Sequence, residues 1–392
     1  KYFCNQSLID EIAKGTCCTH LRHSSLLLCR QICFAERQMA SSFLSVCVYV
    51  CAYLSIYYKS IVNTEAIVMN CGSERLAMTD GEVDLVDLYE GKVVNKRWVV
   101  DAKLGEGACA TVYKVHDIKN ARIRAAMKVE ANTAGSLGVL KKEVSVMNKL
   151  QCRRHTYSYV VMTLFGPNLM QLRKNCRTNT LTASTVCRVG IHALYAIKQV
   201  HEIGYVHRDI KPANMVIGRR GTEARMIFLI DYGMARAYAI WEDGHVRIRR
   251  QREHVLLRGT TRYCSPTVHA RKEQGRKDDL WALIYVLIEL HAGLPWRGIT
   301  EPEIGAMKSA LPDEVLMADC PPEWIKILKY IRTLVYESRP DYKKIFDIMM
   351  ESVARLKITF DDPYDWEKHN GAMVSIDKLQ FLCFLSLPNL YS

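Results

Sequence analysis

An α+β chain of two lobes, a small β-rich one ahead of a larger helical one, is what this sequence predicts. Three observations carry the prediction. From Trp98 to Glu130, short runs of alternating residues are broken by glycine-containing turns, the texture of a small antiparallel sheet. From Val186 onward apolar residues recur at helical spacing, first at Val189, Ala193, Ile197 and Val200, and later from Asp278 to Leu290. Between the two textures, the apolar run Tyr159-Val-Val-Met-Thr-Leu-Phe165 closes on Gly166-Pro167, a turn that suits a hinge.

The chain has 392 residues, 49% hydrophobic and 24% charged, enough for one large core or two lobes with extensions. Its fifteen cysteines would mark a secreted disulfide framework only in a much shorter chain, and eight of them fall in the first 71 residues. The larger part therefore reads as intracellular and reduced. Cys29 to Cys33 and Cys47 to Cys51 have helical spacing, not that of zinc knuckles.

Ahead of the sheet, Met39 to Tyr58 carries no formal charge and is long enough to span a bilayer. Its Ser, Cys and Tyr content makes it only modestly apolar, and Arg22, Arg30 and Arg37 before it would direct everything downstream out of the cytoplasm. Three readings of residues 1–78 stand: sequence upstream of a start at Met69 or Met78, which is preferred; a membrane helix; or an ordered accessory segment.

The first strand, Trp98 to Leu104, leads into Gly105-Glu-Gly-Ala-Cys-Ala-Thr-Val112. Between two strands, G-x-G-x-x-A-x-V makes a hairpin whose backbone N–H groups can cover phosphates. Further on, Arg124-Ala-Ala-Met-Lys-Val-Glu130 sets Lys128 among apolar neighbours. Leu140, Val144, Met147 and Leu150 then form a helical stripe with Glu143 beside it, so a Lys128–Glu143 ion pair would position phosphates.

The densest chemistry lies in Tyr205-Val-His-Arg-Asp-Ile-Lys-Pro-Ala-Asn-Met-Val-Ile217, which follows a buried helix closed by Gly204. In H-R-D-x-K-P-x-N, Asp209 can accept a proton from an attacking hydroxyl, Lys211 can steady a transferring phosphoryl group, and Asn214 offers an oxygen to Mg²⁺. The apolar strand Met226 to Ile230 delivers Asp231 of Asp-Tyr-Gly233, the expected principal Mg²⁺ ligand. Gly259-Thr-Thr-Arg-Tyr-Cys-Ser-Pro266 looks like the floor on which a substrate hydroxyl lies. Asp279 either holds the loop around Asp209 from beneath or caps its own helix.

These residues resemble a eukaryotic protein kinase, and more narrowly the casein kinase 1 superfamily near its tau-tubulin kinase-like branch. The specific matches are Val161 to Leu169, His207 to Asn214, Gly259 to Ser265, Asp278 to Trp281, Leu294 to Arg297, Arg339 to Tyr342 and Asp365 to Lys368. The resemblance implies a bilobal kinase domain over 79–370, with an N-lobe at 96–162, a hinge at 163–166, a C-lobe at 167–370 and a tail at 371–392. It implies ATP and Mg²⁺ as cofactors. Leu104, Gly105, Gly107, Val112, Ala126, Lys128, Glu143, Met162 as gatekeeper, Thr163, Leu164 and Asp231 would line the nucleotide site. Asp209, Lys211 and Asn214 would be catalytic, and Arg262 matches a position that binds a substrate phosphate. The expected activity is transfer of the γ-phosphoryl of MgATP to Ser or Thr of protein substrates, by a monomer in cytoplasm or nucleus; the alternative is a nucleotide-binding pseudokinase scaffold.

Several departures bear on that expectation. Only eight residues separate Leu150 from Tyr159 where the family has an edge strand, so the small lobe is expected to lack it. Cys109 and Ala110 alter the glycine hairpin, and Tyr232 adds a hydroxyl that needs a partner. Glu303 stands where the family has a phosphate-binding lysine. Residues 244–277 hold ten Lys or Arg against two Glu, a surplus of +8 within the chain's +13, which suits acidic or phosphorylated substrates. No interleaved aromatic stripe supports nucleic-acid binding.

Overall fold

The computed structural model describes residues 69–71, 86–107, 110–131, 157–242 and 245–367. Six strands form the small-lobe sheet: β1 (Met69–Cys71), β2 (Val93–Val94), β3 (Trp98–Glu106), β4 (Thr111–Asp117), β5 (Asn120–Ala131) and β6 (Tyr157–Thr163), in the spatial order β1-β6-β5-β4-β3-β2. Every described pairing is antiparallel. Register separates the two faces, because side chains alternate along a strand. Tyr113, Val115, Met127, Val129 and Val161 are buried on one face, covered by Val86, Leu88 and Trp98. The Tyr113 hydroxyl fastens that cover, donating to the Val86 carbonyl at 2.9 Å and accepting from the Leu88 N–H at 2.9 Å. The small-lobe core thus begins upstream of the expected boundary at residue 96.

Residues 132–156, where the missing strand would lie, fall outside the described residues, but the sheet edge beside β6 is occupied. Met69–Cys71 pairs with β6 in the register Met69↔Tyr159, Asn70↔Ser158 and Cys71↔Tyr157. A strand from ahead of the domain therefore takes the edge next to the hinge strand, satisfying backbone groups that an open edge would leave exposed.

The large lobe is built on two buried helices, α2 (Ala183–Glu202) and α4 (Arg276–His291). Around them lie α1 (Leu169–Lys174), α3 (Pro266–His269), α5 (Glu301–Ala310), α6 (Asp313–Leu316), α7 (Trp324–Thr333) and α8 (Tyr342–Arg355). Apolar residues line nearly the whole circumference of α4, and all of Leu280 to Leu290 are buried, as expected for a helix packed on every side. The Thr182 side chain caps α2, and Asp365 holds that cap by accepting from the Thr182 N–H at 2.7 Å and hydroxyl at 2.9 Å. Arg188, fully buried, stacks its guanidinium over the Tyr364 ring at 4.1 Å, so the end of the domain is locked onto α2.

Short hairpins carry the chemistry between these helices: β7 (Tyr205–Val206) with β10 (Arg236–Ala237), and β8 (Met215–Ile217) with β9 (Ile227–Leu229). A further hairpin joins β11 (Ala239–Glu242) and β12 (His245–Ile248). The expectations for residues 1–68, Glu143, Cys109 and the tail at 371–392 lie outside the described residues. No helix among the described residues is long and apolar enough to cross a membrane.

Candidate active site

Asp209 sits between β7 and β8 and is 7% exposed. Four donors converge on its carboxylate. Oδ1 accepts from the Thr260 N–H at 3.0 Å and the Thr260 hydroxyl at 2.7 Å; Oδ2 accepts from Lys211 Nζ at 2.6 Å and Asn214 Nδ2 at 3.2 Å. Lys211 Nζ also reaches Thr260 Oγ1 at 3.3 Å. Thr260, expected in the substrate floor, orients the base directly. Its approach depends on Gly259, whose φ is +104° and where a Cβ would lie 2.4 Å from the Arg208 carbonyl oxygen.

Asp279 resolves its two readings. Its Oδ2 accepts from the His207 N–H at 2.7 Å and its Oδ1 from the Arg208 N–H at 2.9 Å, so it braces the catalytic loop from beneath. The cap of α4 falls to Asp278, which accepts from the Gly275 N–H at 2.7 Å. His201 completes the brace, its Nε2 2.8 Å from Asp279 Oδ2 and its Nδ1 2.7 Å from the Tyr342 hydroxyl. Burial pushes the Asp279 pKa upward, but hydrogen bonding and charge from His201 outweigh it and hold the carboxyl below its ordinary range. Asp279 thus fills the first of its two readings, while His201 of α2 and Tyr342 of α8 meet it only through helix packing and no local pattern announced them.

Asp231 follows β9 with φ +66°, and Arg208 has φ +67°; both are left-handed positions that a non-glycine residue occupies at a cost of about 1–3 kcal/mol. The loop and the Asp231 strand are tied together, since Asn214 O accepts from the Ile230 N–H at 3.0 Å and His207 Nε2 lies 3.2 Å from Ile230 O. The Tyr232 hydroxyl finds its partner in the Leu229 carbonyl at 3.2 Å.

Across the cleft, Lys128 Nζ lies 2.9 Å from Asp231 Oδ1, an ion pair that joins β5 to the large lobe. Burial among protein atoms is the largest influence and raises the Asp231 pKa, but the Lys128 ammonium, its hydrogen bond, and the charges of His207 and Lys211 together outweigh it and hold the carboxyl below its usual range. Register sets Val112 opposite Lys128 and Ala126 opposite Met162, on the face away from the small-lobe core. Gly105 pairs with Val112, and the Gly107 N–H donates to the Ala110 carbonyl at 2.9 Å, closing the hairpin. Leu104 is 49% exposed at its start, while Thr163 ends β6 and Leu164 follows it into the hinge.

Asn214 directs its amide N–H at the Asp209 carbonyl oxygen, 2.9 Å away, which leaves its side-chain oxygen as the available ligand. With the Asp231 carboxylate this gives two hard oxygen donors, a set that fits Mg²⁺, an ion that usually keeps water and phosphate oxygens in its remaining positions. Among the described residues no group of three or more His, Cys, Asp or Glu could hold a metal by itself.

Arg262 occupies a different role from the one expected of a substrate contact. Its Nε donates to Glu289 Oε2 at 2.5 Å, and Arg173 reaches Glu289 Oε1 at 3.2 Å, so an internal carboxylate already pairs with Arg262. Glu303 caps α5 through the Thr300 N–H and hydroxyl. From the same helix Lys308 Nζ runs under the substrate floor and donates to the carbonyls of Thr261 and Cys264, each at 2.7 Å. Arg252 is likewise paired, with Glu273. Part of the local positive surplus is therefore consumed inside the lobe.

The protein kinase domain family matches residues 98–348. A Caenorhabditis elegans protein named "Putative serine/threonine-protein kinase" is 42% identical over 300 residues, 73% of this chain and 86% of that protein. An inactive tau-tubulin kinase of the same organism is 36% identical over 56% of this chain and 79% of its own length. Casein kinase I homolog 3 of Schizosaccharomyces pombe is 31% identical over 71% and 67% respectively. With the two-lobed fold and the Asp209–Lys211–Asn214 loop, these likenesses place the chain in the protein kinase family, within its casein kinase 1 superfamily.

Proposed function

We propose that this protein is an active Ser/Thr kinase that transfers the γ-phosphoryl group of MgATP to hydroxyls of acidic proteins. The observation that carries the reading is the assembled quartet of Asp209, Lys211, Asn214 and Thr260, facing the Lys128–Asp231 pair. An attacking hydroxyl oxygen would form a bond to the γ-phosphorus as the bond to the β,γ-bridging oxygen breaks. Asp209 receives the hydroxyl proton, Lys211 offsets negative charge on the transferring group, and ADP leaves. Bound Mg²⁺, held by Asn214 and Asp231, would neutralise phosphate charge. Lys128 is placed to contact the nucleotide phosphates from β5.

The name of the inactive relative gives the scaffold reading a specific footing. In this chain, however, each of the charged groups that the reaction needs is present. Initial rates of transfer from labelled MgATP to casein by the full chain test the proposal. Asp209→Asn is expected to lower the rate by about 10²-fold or more. A folded protein that binds MgATP and transfers no phosphate would leave the scaffold reading.

A further inference from the structure

A concavity of about 870 Å³ opens beside the hinge, away from Asp209, and its walls come from both lobes. Its volume falls within the range of about 300–1,000 Å³ that ligand sites occupy. The β4–β5 hairpin supplies Lys119, Arg122 and Arg124, and the connection after β8 supplies Arg219 and Arg220; Glu223 is the one acidic lining residue. All five cations are exposed, and none has an ion-pair partner among the described residues. This differs from the activation segment, where Arg252 and Arg262 already hold Glu273 and Glu289. Leu164 of the hinge contributes an apolar element to the lining.

Both walls are held by local hydrogen bonds. The Lys119 N–H donates to Asp117 Oδ1 at 2.8 Å and the Arg122 N–H to Asn120 Oδ1 at 3.1 Å, fixing the hairpin turn. On the other side the Gly218 N–H donates to the Glu223 carbonyl at 2.9 Å, an approach so close that a Cβ on residue 218 would lie 2.5 Å from that oxygen. The Gly166 N–H donates to Ile217 O at 2.8 Å, so the second wall is tied to the hinge itself.

We propose that this cleft docks an acidic segment of a protein partner, Asp, Glu or phosphorylated side chains pairing with the arginine forks. Its concavity fits a peptide and not a bilayer surface, and no aromatic side chain lines it to stack a nucleobase. Because the cations come from both lobes on either side of Leu164, an occupant that engages both walls ties the lobes together at the hinge. Docking is separate from phosphate transfer and is read without nucleotide.

The test is fluorescence anisotropy of a fluorescein-labelled peptide of alternating Glu and Asp with the full chain, without ATP. A variant carrying Arg122→Glu and Arg220→Glu is compared with one carrying Lys326→Glu and Lys343→Glu on α7 and α8, and thermal melts verify that both are folded. The proposal expects saturable binding that weakens about tenfold or more in the first variant and is retained in the second. It is overturned by absence of saturable binding, by equal affinity in the first variant, or by loss confined to the second. Binding of an RNA oligonucleotide or phosphatidylserine vesicles that depends on Arg122 and Arg220, where the peptide does not bind, also overturns it.

Discussion

Lys308 shows how one buried side chain can shape both stability and the substrate floor. It is 3% exposed, donates to two carbonyls, and lies 4.8 Å from the Tyr285 ring centre and 5.0 Å from that of Trp296. Burial lowers its pKa to about 7. The unfolded chain therefore binds this proton more tightly, and between pH 7 and the ordinary lysine range its titration makes stability rise with pH. Thermal melts across that window should show this slope, and Lys308→Met should flatten it. The same variant leaves the Thr261 and Cys264 carbonyls without their donor, at a cost of about 2–4 kcal/mol measurable by urea denaturation. Glu289 invites the opposite kind of change: Glu289→Gln should release Arg262 and lower the KM for a phosphorylated peptide relative to its unphosphorylated form. An unchanged ratio of the two KM values would show that Arg262 does not meet substrate. Asp209, Lys211, Asn214 and Asp231 were legible because their chemistry sits at fixed offsets in short contiguous stretches. The loop-bracing role of Asp279 was one of its two readings, but its His201 partner and the Arg262–Glu289 pair were not legible, since those partners lie far apart in sequence and meet only through helix packing.

At the scale of elements, the strand Met69–Cys71 lies ahead of the expected start of the domain at residue 79 yet pairs with its hinge strand. Its three residues have no alternating pattern to mark a strand, and only the free edge of β6 gives them that conformation. By contrast β3 to β6 were readable, because burial of one face against Val86, Leu88 and Trp98 imposes an alternation on the sequence. A chain starting at residue 79 should have a lower melting temperature and a greater tendency to aggregate than the full chain, as its hinge strand loses an edge partner. Differential scanning calorimetry and light scattering check this, and identical behaviour of the two chains would mean that β1 contributes nothing. The glycine hairpin was predictable from Gly105 and Gly107, and the observed Gly107–Ala110 hydrogen bond closes it although Ala110 replaces the third glycine.

For the whole molecule, the Lys128–Asp231 ion pair joins β5 to the catalytic half beside the hinge. Net charge alone pointed to an anionic partner without saying where it binds. Arg252 and Arg262 are neutralised inside the large lobe, whereas the arginines beside the hinge, like Arg249 and Arg250 of the activation segment, have no ion-pair partner among the described residues. The bilobal architecture was legible from texture, whereas this division was not, because the acids that neutralise Arg252 and Arg262 come from other elements. The most direct measurement is MgATP-dependent phosphorylation of an acidic peptide containing a single serine, followed by mass spectrometry, for the full chain beside Asp209→Asn. The serine should be phosphorylated by the full chain and far more slowly by the variant; a folded, MgATP-binding protein that leaves the serine unmodified would contradict the account.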